Sequence, residues 1–333
     1  MTSAYDFGSG LAAANRRRAS RSASGFRKGP NVADVLGALA GAIALGLWAV
    51  TMMSADTPAS GAARSSPAHN GVAADQIWAA DGPEWQSGGY VGMPFTHPSD
   101  IRFEKAGMTD LTVHGVNWDG KPFKSPIYYG LRTIIWGPGG FGGMIDFTHS
   151  KTIAQPTQTV RLSGTRNGQP VAAPSAKIGE TFRHLEFSHG HNTLIANGMM
   201  RLGRLGPTLR PYTGAGFGLA FPHTEIQFAD ERKRTYEYQY AGPAGQVLAG
   251  IEIRLPRASV YVEYKFTLAR YSVPLTGNDS RGWGAGDIPG QILRWVRGEK
   301  PEQGTATTVL ASHQVVGGLG IRSTAAPAVR PAH

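Results

Sequence analysis

The chain has 333 residues, 41% hydrophobic and 17% charged, with 45 glycines and no cysteine, which is enough for one large domain or two modest ones. The lack of cysteine excludes a disulfide framework and thiolate metal sites. Net charge is +10, but the one dense basic run, Arg16-Arg17-Arg18 with Arg21, Arg27 and Lys28, precedes an apolar stretch. Targeting explains that run more simply than nucleic-acid binding, and no nucleic-acid partner is expected.

Residues 1–62 read as a basic leader followed by an apolar signal or anchor segment. Val35 to Met53 carries no charge and approaches the roughly 20 residues that a helix needs to span a bilayer. Ala59-Ser60-Gly61-Ala62 supplies the small residues of a secretory cleavage site. Export with cleavage near Ala62 suits the strand pattern that follows. Residues 63–83 read as a linker, 84–323 as the folded domain and 324–333 as a C-terminal tail.

From Glu84 the sequence alternates in polarity, and eight segments satisfy the strand template: roughly 86–97, 126–137, 141–151, 185–202, 209–226, 237–254, 258–272 and 306–322. In Ala258 to Ser272, Val260, Val262, Tyr264, Phe266 and Leu268 share one parity, while Tyr261, Glu263, Lys265 and Thr267 share the other. Gly214, Gly216 and Gly218 alternate with Ala215, Phe217 and Leu219 in the same way. The connections near Pro138, Gly203 to Thr208 and Leu255 to Arg257 are short. Those at 98–125, 152–184, 227–236 and 273–305 are long. Short and long connections in turn, with apolar and polar faces in turn, predict an all-β fold. It is an eight-stranded antiparallel up-and-down transmembrane β-barrel, lipid-facing outside and polar in the lumen, with long extracellular loops. A soluble barrel would invert those faces. The last strand lacks a terminal aromatic residue.

Histidines gather at one end of these strands. Phe147-Thr148-His149 and Phe187-Ser188-His189 repeat a triplet that also occurs as Phe95-Thr96-His97 and, more loosely, as Phe221-Pro222-His223. Up-and-down topology puts all four at the outer rim, each with the parity of its neighbouring Phe. The bland reading is an interfacial belt. The sharper one is a site, because imidazole with carboxylate binds a divalent metal or moves protons near neutral pH. Asp146 and Glu186 are the nearest carboxylates. Trp118, Asp119 and Lys121 in the first long loop suit stacking and charge-assisted hydrogen bonds to sugar and phosphate. They suit a tight turn around Gly120 equally well. Asp230 to Arg234 reads as a solvated charge run, and Gln291 to Gly298 as a short amphipathic piece at the headgroups. No phosphate-binding loop or dinucleotide fingerprint is present, so no nucleotide cofactor is expected.

Phe95 to Asp100, the loop from His114 to Tyr129, Asp146 to His149, Glu186 to His189, Pro222-His223 with Glu225, and Glu263 to Phe266 together resemble the bacterial outer-membrane lipid A oxidases. The resemblance runs from about Gly88 to Arg322. It implies a Gram-negative outer-membrane barrel, folded by the barrel-assembly machinery among outer-membrane lipids. The barrel would use molecular oxygen to convert the proximal glucosamine of 1-dephosphorylated lipid A, within lipopolysaccharide, to 2-aminogluconate. The residues expected to carry this chemistry are His149, His189, Asp146 and Glu186, with His149 and His189 as candidate ligands of a divalent metal. His97, Trp118, Asp119, Lys121, His223, Glu225, Lys265 and Arg270 are expected to hold the substrate. Two rivals differ in class. One is a non-catalytic structural or adhesive barrel. The other is a lipid A acyl-chain hydrolase, which needs a hydroxyl such as Thr148, Ser150 or Ser188 beside a histidine.

Overall fold

The computed structural model describes residues 84–279 and 284–324; the expected leader, linker and C-terminal tail beyond Thr324 lie outside them. In chain order the elements are β1 (Glu84–Thr96), β2 (Ser99–Lys105), β3 (Thr109–Val116), β4 (Trp118–Asp119), β5 (Tyr129–Trp136), β6 (Phe141–Ala154), β7 (Thr159–Arg166), β8 (Gln169–Pro170) and β9 (Ser175–Lys177). They continue with α1 (Ile178–Thr181), β10 (Phe182–Arg201), β11 (Leu209–Ala220), β12 (His223–Phe228), β13 (Thr235–Tyr238), β14 (Gly242–Arg254), β15 (Ala258–Pro274), α2 (Ile288–Arg297) and β16 (Thr305–Thr324).

Eight of these strands form the wall in the order β1-β5-β6-β10-β11-β14-β15-β16, every neighbouring pair antiparallel. Pairing of β16 back onto β1, from Glu84 opposite Thr324 to Thr96 opposite Ser312, closes the barrel and leaves the wall no free edge. Outward positions carry exposed Leu131, Ile145, Leu194, Phe217, Val247 and Leu268. Water would expel such a belt, and a hydrocarbon layer accepts it. No helix among the described residues is long and apolar enough to cross a membrane; the strands cross it.

The lumen is filled with paired charge. At the end of the short turns, buried Glu84 accepts hydrogen bonds from Arg322, Arg201 and Arg254, the first at 2.8 Å. Farther along, Arg132 meets Glu263 at 2.7 Å, and the Tyr212 hydroxyl donates to the same carboxylate at 2.8 Å. Lys265 meets Asp146 at 2.8 Å and donates to Tyr90 and Thr148. Each charge has an opposite partner, which an ion removed from water requires. The packing also depends on a missing side chain: a Cβ on Gly130 would lie 1.9 Å from the Tyr90 ring.

Two features depart from the sequence expectation. The strand expected at 209–226 is broken at Phe221-Pro222, because proline cannot donate to a ladder, and β12 then leaves β11 to pair with β10 and β13. The long connections are also not loops. β2 extends from β16, β3 and β7 continue that sheet, and their alternating Ile101, Phe103, Leu111, Val113, Val160 and Leu162 point inward. These residues join Phe182, Phe187, Phe228 and Tyr271 in an apolar core above the polar lumen. The wall thus inverts along its length, apolar outside where lipid surrounds it and apolar inside where water does. The expected amphipathic piece is helix α2, capped by Asp287 accepting from the Gly290 amide at 3.0 Å, with Leu293, Trp295 and Val296 exposed.

Candidate functional site

Register decides which side chains share the outer face of the wall at the rim. On β6, His149 follows Phe147 and Ile145 outward. Across the ladder it faces Asn192, which continues the outward row of Leu194 and Ala196 on β10. Between Phe187 and His191 the ladder slips, so Ser188, His189 and Gly190 oppose the single residue Lys151. This bulge needs Gly190. Its φ is +147°, and a Cβ there would fall 2.4 Å from the Asn192 side-chain nitrogen. Because two extra residues are inserted, parity is kept, and Glu186 and His184 lie outward above the bulge. Glu225 sits directly opposite Glu186 on β12, and Tyr236 opposite Glu225 on β13.

The rings pack as a group. Tyr129 stacks on His149 with centroids 4.9 Å apart and planes at 21°. His189 lies 5.0 Å from His223, and His223 meets the edges of Tyr236 and Tyr238 at 4.5 and 4.7 Å. Burial pushes the His223 imidazole down to about 4, helped by nearby His189 and Arg234, so it is neutral at physiological pH. Lys151 donates to the Lys124 carbonyl; Lys121, Lys124, Glu186 and Asp119 lie near enough to act on its charge.

Asn192 sets the state of His149. The Asn192 amide nitrogen donates to the Phe221 carbonyl at 3.1 Å, which turns its oxygen toward His149 Nδ1 at 2.8 Å. An amide oxygen only accepts, so Nδ1 of His149 carries the proton and, in the neutral ring, Nε2 is the bare nitrogen. That nitrogen is buried and has no hydrogen-bond partner among the described residues. The ring thus presents an unprotonated nitrogen that could accept a proton just beneath the surface.

The structure brings together His149, His189, His223, Glu186, Glu225, Asp119 and Lys121 from the residues expected at the site. Others lie elsewhere. Asp146 is buried on the lumen face with Lys265, one wall thickness from His149, because adjacent strand positions point to opposite sides. Asp146 therefore cannot assist His149, and Lys265 cannot reach a lipid headgroup. His97 pairs with His313 at 2.7 Å at the β1–β16 seam, two strands from β6. Arg270 is exposed on β15, three strands from β10. Trp118 is buried against Phe187, and its indole donates to Ser99 at 2.9 Å, so it has no face for a sugar. The hydroxyls of Thr148 and Ser150 likewise face inward, toward Lys265 and the His191 carbonyl. That leaves Ser188, 3.3 Å from His189 Nδ1, as the hydroxyl a hydrolase could use.

Residues to which the sequence assigns no site role complete the cluster: His184, Asn192, Lys124, Lys151, Tyr129, Tyr236 and Tyr238. Arg234, read as part of a solvated run, bridges Glu225 at 2.7 Å and Asp279 at 2.8 Å. The alternation Thr235-Tyr236-Glu237-Tyr238 was the available signal for that hairpin. Three side chains bring metal-ligating atoms within 4.8 Å of one another, His184, Glu186 and Glu225; His149 and His189 do not belong to that group.

No protein-family model matches the chain, and no curated protein does. Among solved structures it is similar to the outer membrane protein OprG from Pseudomonas aeruginosa, at 10% identity and a TM-score of 0.37, covering 73% of this chain and 97% of that one. It is similar at 10% identity to the outer membrane protein AlkL, covering 82% of this chain and all 100% of that one, with a TM-score of 0.35. The outer membrane protease OmpT from Escherichia coli matches at 10% identity and a TM-score of 0.34, over 72% of this chain and 97% of its own.

Proposed function

We propose that this barrel resides in the outer membrane of a Gram-negative bacterium and oxidises the proximal glucosamine of 1-dephosphorylated lipid A, with oxygen as co-substrate. The observation that carries the reading is His149, on the outward parity of β6 beyond Ile145 and Phe147, with Nδ1 committed to Asn192 and Nε2 without a partner among the described residues. A substrate anchored in the outer leaflet approaches from that side, and Lys121, Lys124 and Lys151 beside it suit its remaining phosphate. In the reaction, Nε2 takes the proton of the anomeric hydroxyl while the hydride equivalent on that carbon passes to oxygen. This yields a lactone and hydroperoxide, which takes the proton from Nε2 and leaves as hydrogen peroxide with His149 neutral again; water then opens the lactone to 2-aminogluconate. His189 and Glu186 flank the position as further proton carriers.

The test is a mass spectrum of lipid A from a host that makes the 1-dephosphorylated form, with and without this protein. One added oxygen on the proximal sugar is expected. An unchanged spectrum from cells that carry the folded barrel rejects the reading. It would favour a non-catalytic barrel, for which the burial of His149 and His223 also speaks.

A further inference from the structure

We propose a binding site for a first-row transition-metal dication, such as Mn2+, Fe2+, Co2+ or Zn2+, formed by His184, Glu186 and Glu225 on the outer face of the rim. His184 Nδ1 lies 3.2 Å from one oxygen of Glu186 and 3.3 Å from one oxygen of Glu225. Ligands bound to a dication at about 2.1 Å are themselves separated by about 3.0 to 3.4 Å, from octahedral to tetrahedral geometry. Both nitrogen-to-oxygen spacings fall in that range, and the two carboxylate oxygens lie within 4.8 Å of each other.

Charge points the same way. Glu186 and Glu225 are direct cross-strand partners, and like charges so opposed are destabilising unless a cation joins them. Of the fixed cations nearby, Lys151 acts on Glu186 without an ion pair to it, and Arg234 divides its guanidinium between Glu225 and Asp279 at 2.7 and 2.8 Å. Two carboxylates, Glu225 and Asp279, thus share one arginine, while Glu186 has only His184 as its hydrogen-bond partner among the contacts above. Arg234 orients Glu225, as groups behind a metal ligand do. His184 is partly exposed, so an ion enters from solvent and three protein ligands leave positions open for water or a lipid oxygen. One imidazole with two carboxylates favours these ions over Mg2+ and Ca2+, which prefer all-oxygen shells. The proposal does not rest on the oxidase reading.

The test uses the full chain folded in detergent micelles and titrated with Co2+, read by its visible d–d absorption and by equilibrium dialysis. One Co2+ per chain is expected, with at least tenfold weaker binding in His184→Ala, Glu186→Gln and Glu225→Gln, and a raised melting temperature only in the unsubstituted protein. Each variant is checked for the heat-modifiable folded band. If Glu225→Gln misfolds because Arg234 loses its partner, Glu186→Gln decides, since it leaves the Glu225–Arg234–Asp279 bridge intact. Binding that survives Glu186→Gln, or that disappears with His97→Ala at the seam instead, overturns the proposal. Unaltered lipid A together with retained Co2+ binding would reject the oxidase and leave the metal site standing.

Discussion

A histidine serves as a base only when one ring nitrogen is bare and the other is held, and Asn192 meets the second condition for His149. Asn192→Leu removes the acceptor, frees the ring to change tautomer, and should lower turnover by roughly 10- to 100-fold with the barrel still folded, a range typical of orienting partners. His149→Ala should abolish it. Lipid A mass spectra alongside the heat-modifiable band separate the two effects; full activity in Asn192→Leu would remove Asn192 from the mechanism. His223 makes a prediction of a different kind. Its folded value of about 4 lies below the ordinary 6.5, so the unfolded chain binds the extra proton first. Its contribution to stability is complete above pH 6.5 and is lost as pH falls toward 4. Melting curves across that window should show the loss, and His223→Phe should make it smaller.

At the scale of elements, the site depends on an irregularity. The bulge at Ser188 to Gly190 interrupts a regular ladder beside Asn192, and Gly190 is the residue that allows it. Gly190→Ala faces an unfavourable positive φ and a Cβ in the space of Asn192. It should cost about 1–3 kcal/mol and reduce turnover beyond what its stability loss explains. Urea unfolding of the folded barrel measures the first effect, and single-turnover lipid A conversion the second; a fully active Gly190→Ala would show that the bulge does not position Asn192. Alternation made six of the eight wall strands legible in the sequence to within three residues, because a strand with lipid on one side and a polar lumen on the other has a strong period of two; those expected at 209–226 and 237–254 run on into the separate hairpin of β12 and β13. The extramembrane strands carried the same period. Ile101-Phe103 and Leu111-Val113 alternate as cleanly as Val260 to Leu268, yet in a long connection they were read as loop. Three of the four histidine triplets were legible as a group, His97 lying instead at the β1–β16 seam, but not the bulge, since nothing local in Ser188-His189-Gly190 distinguishes an inserted pair from two more strand positions. Trp118 went astray because composition suggests stacking while burial decides it.

Across the whole molecule, the wall separates two kinds of chemistry that lie next to each other in sequence. Asp146 and His149 are three residues apart, yet one belongs to the lumen and the other to the lipid-facing rim. Asp146 is held by Lys265, Tyr90 and Gln246, and its carboxylate offsets an ammonium with almost no exposure. Removing one partner of such a pair leaves the other charge buried alone, at a cost of about 3–5 kcal/mol, whereas removing both can be nearly neutral. Asp146→Ala should therefore weaken the barrel by that amount, and adding Lys265→Met should restore most of it. Because the pair lies on the far side of the wall from His149, the fraction that folds should turn over lipid A at the unsubstituted rate. Urea unfolding in lipid vesicles measures the stability of the single and double variants, and lipid A conversion per folded molecule measures the rate. A double variant with full stability and no turnover would place Asp146 in the chemistry after all and would require the lumen and the rim to work as one site. Full turnover in the double variant would leave the lumen pair the structural role its burial dictates and confine the chemistry to the outward face.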